Sequence, residues 1–179
     1  MNHANDNAIA ARPRLVAIVT VMALLLCATS STALAEQSET SESANIPTAC
    51  DLLAGHPSDP DKITDGVKTE QVMTYLPLAI EACRRDAALF PDQPRLTYYL
   101  GRSLFYSGEA KEGFAMVDAA ANAGHEQAQF VGGLLAMAGA ATGTADPCLA
   151  RDYWERGRAQ GHFAATVSVA THQKLDTFA

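Results

Sequence analysis

A chain of 179 residues with a formal charge of −7, whose bases are scattered rather than clustered, would repel phosphate backbones, which excludes nucleic acid as the expected partner. The same acidic balance argues against an anionic membrane surface. The length suits a single domain with a core of its own.

In chain order, the first signal is one of targeting. Arg12 and Arg14 form a short basic flank, Leu15 to Cys27 is an almost unbroken apolar run, and Ala33-Leu34-Ala35 supplies small residues two positions apart. These are the three parts of a secretory signal peptide over residues 1–35, cut after Ala35. Leu15 to Ala35 is also just long enough to span a bilayer as an uncleaved anchor, but it breaks into Thr and Ser before the cleavage site. Cys27 follows Leu26, where a lipid-attachment signal wants a small residue, so a lipoprotein is not expected. The exported remainder would have 144 residues, with eleven Lys and Arg against nineteen Asp and Glu, a formal −8. It carries no further stretch of membrane-spanning length, so no membrane contact is expected after cleavage.

Residues 36–48 are polar, acidic and without periodicity, which predicts a disordered linker. Ala49 to Gly66, with two prolines and clustered Asp, predicts an ordered loop with one helical turn at Cys50 to Ala54. Thr69 to Phe90 has apolar positions Val72, Leu76, Ala79, Ile80, Cys83 and Ala87 at helical spacing. Pro77 falls inside it, so the helix either kinks or starts near Pro77. Residues 49–93 thus form an N-terminal capping segment and a first helix.

Further helices are predicted over Pro94 to Ser107 (buried stripe Leu96, Leu100, Leu104) and Ala110 to Ala123 (Phe114, Val117, Ala120 and Ala121 inward). Glu126 to Ala138, Cys148 to Gln160 and Phe163 to about Leu175 follow. Gly108, Gly124 and Gly161 end helices, and Gly139 to Pro147 is a flexible loop. No stretch alternates strongly enough to ask for a strand. The fold class is all-α: short antiparallel helix pairs stacked as an α-solenoid.

Self-similarity supports stacking. Leu100-Gly101 leads to Ala123-Gly124-His125, and Val131-Gly132 leads to Gln160-Gly161-His162. The spacing is 31 residues at the start of the unit and 37 at its end, and the difference of six sits in the loop at Gly139 to Pro147. Small Gly and Ala positions let neighbouring helix backbones approach closely. The units are 94–124, 125–161 and a terminal helix at 162–178.

On these residues, together with Gly108, Ala120-Ala121-Asn122, Gly139 and Tyr153-Trp154, residues 94–178 resemble the Sel1-like branch of the tetratricopeptide repeat superfamily. Cys50 to Ala54, His56-Pro57, Asp59-Pro60, Gly66-Val67 and Ala79 to Cys83 resemble the N-terminal region of exported Sel1/tetratricopeptide proteins of Gram-negative bacteria. The resemblance implies a periplasmic location and a non-enzymatic scaffold or regulator that binds a protein or peptide, by analogy a periplasmic or membrane sensor domain. Cysteine-rich Sel1 proteins described as penicillin-binding supply the alternative, a hydrolase of β-lactam or cell-wall substrates. Those relatives carry a cysteine pair per repeat; here the first repeat has none and the second has one. Arg156-Gly157-Arg158 departs from the preferred Ala-Ala and predicts looser packing of the second unit.

Three cysteines survive cleavage, and spacing alone does not pair them. Cys50 lies in an irregular, Pro-rich segment that needs tethering, and Cys83 lies on the packed face of the first helix. This predicts a Cys50–Cys83 disulfide, with Cys148 free.

No catalytic set, cofactor motif or metal motif is complete. His125-Glu126 begins the H-E-x-x-H zinc pattern, but Gln129 stands where the second ligand belongs. His125 and His162 are read as equivalent helix-entry residues. Asp59, Asp61, Asp65 and Glu70 fit positions 1, 3, 7 and 12 of a calcium loop, yet Ile63 and Gly66 are wrong for it, leaving a solvated turn. Cys83 on its apolar face is read as structural. The candidate partner-binding residues are Arg95, Tyr98, Arg102 and Tyr106, one stripe of one helix distinct from its leucine stripe. By the resemblance, this stripe faces the concave surface, where two guanidinium groups suit an acidic or C-terminal peptide segment.

Overall fold

The computed structural model of the chain describes residues 46–176, and these contain eight helices and no strand. The expected signal peptide and the first ten residues of the expected linker lie outside the described residues. The helices are α1 (Ala49–Ala54), α2 (Thr69–Thr74), α3 (Leu76–Leu89), α4 (Pro94–Tyr106), α5 (Ala110–Asn122), α6 (Glu126–Met137), α7 (Pro147–Ala159) and α8 (Phe163–Asp176). From α3 onward each packs chiefly against the next in sequence, while α1 lies against α3 and α4.

Local chemistry sets these boundaries. Thr48 caps α1 in a reciprocal box: its side chain accepts from Asp51 N–H, and Asp51 accepts from Thr48 N–H. Pro77 does not kink one long helix. The chain breaks at Tyr75 (φ −114°, ψ 25°), and Pro77 sits in the first turn of α3, where its missing donor is harmless. Gly108, Gly124, Gly139 and Gly161 have φ from +70° to +98° and end α4, α5, α6 and α7 in a conformation only glycine adopts without strain. Asp146, His125 and, beside α8, His162 accept from backbone N–H groups in the first turns of the helices they precede.

Packing follows a small-against-large scheme. Leu96, Leu100, Leu104, Val117, Ala120 and Ala121 are buried as their spacing required. An added Cβ at Gly101 would meet Gly113 O and Val117 N at 2.9 Å, so α4 and α5 touch nearly backbone to backbone. Across the next seam, Gly132 and Gly133 face Tyr153 and Trp154, both almost fully buried. The second unit is not loose at Arg156-Gly157-Arg158. Gly157 lets α7 approach α8, with its Cβ position 3.0 Å from Ala165 Cβ, while Arg156 and Arg158 pair with Asp152 and Glu155.

The Cys50–Cys83 disulfide is present, and Cys148 is free and exposed. The bond tethers α1 to the middle of α3. Asp86, one turn further on, accepts from Cys50 N–H and reinforces the tether.

Candidate functional site

The four residues of the predicted binding stripe lie along one side of α4, but residues 49–67 cover much of it. Arg95 is buried, and its Nε and Nη2 donate to the two carboxylate oxygens of Asp51 at 2.9 and 3.2 Å. Arg102 is buried as well. Its Nη1 donates to the carbonyls of Ala54 and Gly55, its Nη2 to that of Val67, and its Nε to the Tyr106 hydroxyl. The stripe therefore does not offer two guanidinium groups to solvent. Arg95 is an anchor for α1. Tyr98, Arg102 and Tyr106 do converge, on the wall of a cavity of about 170 Å³ that also includes Phe105 and Leu134.

A second, more open depression of about 700 Å³ continues from the first. The two share His56, Val131 and Leu134. It runs over Phe130 to the start of α8, where Phe163 is 81% exposed, with Leu134 at 45% and Val167 at 48% standing out on the same helices. An exposed apolar strip of this kind is the informative deviation on a protein surface. Together the two hollows follow α4, α6 and α8. Phe130 and Leu134 of α6 line this side, while Gly132 and Gly133 of α6 are buried against Tyr153 and Trp154.

Histidines border the apolar strip. His56 is pushed down to about 4, by burial first and then by the positive charges of Arg102 and Lys62, against the opposing pull of Asp59. His162 is also lowered, mainly by burial, and Glu126 and Asp59 oppose the shift. It stacks on Phe130 with ring centroids 5.1 Å apart, and its Nε2 lies 3.0 Å from Gln127 Oε1. Burial would raise the Tyr106 hydroxyl, but bonds from Thr69 and Arg102 outweigh it and hold it below its ordinary value.

The acidic turn at Asp59 is not the solvated feature its composition suggests. Asp59 is fully buried, with Oδ2 3.1 Å from His125 Nε2 and Oδ1 accepting from Asp61 N–H. Burial acts to raise its carboxyl, yet the neighbouring His125 and the Asp61 N–H outweigh this and hold it below the usual range. Asp59, Asp61 and His125 bring ligand-type atoms within 4.8 Å of one another, which poses the question of a metal ion. The cap on α6 answers it. His125 Nδ1 accepts from Ala128 N–H, so a neutral ring carries its proton on Nε2. That N–H faces the carboxylates as a donor, off-line for an ideal bond, and has no lone pair for a cation. The group is a buried His–Asp pair joining the turn at 56–61 to the entry of α6.

No protein-family model matches the chain, and neither does any curated protein or solved structure.

Proposed function

We propose that the chain is a non-enzymatic, exported binding protein, a short α-solenoid of antiparallel Sel1-like helix pairs whose hollow over α4, α6 and α8 takes a segment of a protein partner. A periplasmic or membrane sensor domain is the partner class this reading favours. The observation that carries it is the continuous apolar strip from Phe105 through Leu134 to Phe163, with its ordered histidine border. Three lines of support accompany it. From α3 onward each helix packs on the next in sequence, His125 and His162 cap α6 and α8 in the same way, and a disulfide closes the N-terminal end. Such bonds persist in oxidising compartments. Nothing in the strip resembles a nucleophile with its base, so the function rests on surface shape.

A photo-reactive amino acid at position 163 tests the reading in cells. A discrete cross-linked partner is expected there and not at Leu78, an exposed apolar residue on α3. Absence of a cross-link at 163, or the same products from 78, would overturn the assignment.

A further inference from the structure

Two arginines are buried among the described residues, and their charges are met differently. Arg95 has the carboxylate of Asp51. Arg102, 6% exposed, has no carboxylate in ion-pair reach among the described residues. Three carbonyls and a hydroxyl accept four of its hydrogen bonds, and the fifth donor, on Nη2, has no acceptor among those residues. Dipoles at the end of α1 temper the charge without neutralising it, and a buried charge without a counterion is costly.

Arg102 also stands where two spaces of opposite character meet. On one side is the cavity of about 170 Å³, with walls from Phe105, Val117, Leu134 and Leu135. On the other is an open polar cleft of about 390 Å³ with Lys68, Thr69 and Ser58 on its walls. His56 borders both, and Lys68 on the cleft wall adds a second positive charge near Arg102. Glu70 on the cleft wall disfavours a dianion such as phosphate.

We propose that these adjoining spaces bind an apolar carboxylate, with its branched or aromatic hydrocarbon group in the cavity and its single negative charge at Arg102 and Lys68. The chemistry is shared by the C-terminal residue of a polypeptide and by a free small acid. The proposal rests on the reading of this face as a binding surface. Its test is separate, because position 163 lines only the larger depression.

Calorimetric titration of the purified protein with 4-methylpentanoate, with an Ala-Ala-Leu tripeptide and with that tripeptide's C-terminal amide decides the matter. A free acid binds, and the amide is weaker by about tenfold or more, the expected loss for a charge-assisted bond. Stronger binding of the tripeptide assigns a polypeptide terminus, and stronger binding of the free acid assigns a small metabolite. Lys68→Glu weakens the acid several-fold, Leu134→Trp removes binding by filling the cavity, and Leu78→Ser leaves it unchanged. All three positions are exposed, so the fold, checked by circular dichroism, is retained. Equal titration of acid and amide, no titration by any probe, or full binding to Leu134→Trp would each refute the site.

Discussion

A methyl group added at Gly133 would stand 2.1 Å from Trp154 Nε1 and 2.5 Å from Cδ1 and Cε2. Trp154 is almost fully buried and donates to the Phe130 carbonyl at 3.0 Å, so it has no room to yield. Gly133→Ala is expected to destabilise the fold by about 2 kcal/mol despite alanine's better helix propensity. Gly108→Ala meets no atom within 4 Å and costs only the backbone strain at φ +90°, about 1 kcal/mol. Urea unfolding of the two variants side by side checks the order. Arg95→Ala is a different kind of lesion. It leaves the Asp51 carboxylate buried beside no counter-charge, which costs about 3–5 kcal/mol. A variant that unfolded at the wild-type urea midpoint would show that the pair is not structural.

At the level of elements, the helices were nearly all legible, because glycine stops, proline starts and three-and-four spacing are local signals. The end of α4 shows this: Leu104 is the last of the buried leucine stripe, and Gly108 closes the turn. What could not be read was the cover over α4. The contacts of Arg95 with Asp51 and of Arg102 with Ala54 span 44 and 48 residues and leave no periodic trace. Asp59 was misleading for the same reason, since its partner His125 lies far along the chain. The covering segment carries two predictions. Its tether closes a loop of 33 residues, so Cys50→Ser with Cys83→Ser should lose about 3–4 kcal/mol on the chain-entropy model. Thermal melts with and without reductant check this; identical midpoints would contradict it. The second concerns pH. The folded state holds His56 at about 4 and lowers His162, so it binds fewer protons than the unfolded chain. Stability is then full above about 6.5 and falls as the pH drops toward 4. His56→Gln should flatten that fall in the unfolding midpoint between pH 7 and pH 4.5, and an equally steep decline in this variant would remove His56 as its cause.

For the molecule as a whole, the basic flank, apolar run and Ala33-x-Ala35, outside the described residues, carry the expectation of export. Intact-mass measurement of protein recovered from an exporting host is expected to show a chain beginning at Glu36. A membrane-bound product that retains Leu15 to Cys27 would reject the assignment. The candidate site was legible in part at this scale. Residues of α4, α6 and α8 line the hollows, and Tyr98, Arg102 and Tyr106 do reach one of them. Leu134 escaped because a large apolar residue at helical spacing reads as core, and only the glycine-rich seam of α6 shows why it is turned out.

The position of the disulfide also bears on the order of events during synthesis. Cys50 and Cys83 both precede α4. A chain that emerges N-terminus first into an oxidising space can close this loop before any residue of α4 arrives. Asp51 and the carbonyls of Ala54 and Gly55 are then already in place as a template for Arg95 and Arg102. Each later helix finds its predecessor waiting, so the molecule can grow from a nucleus at one end in the direction of its own delivery.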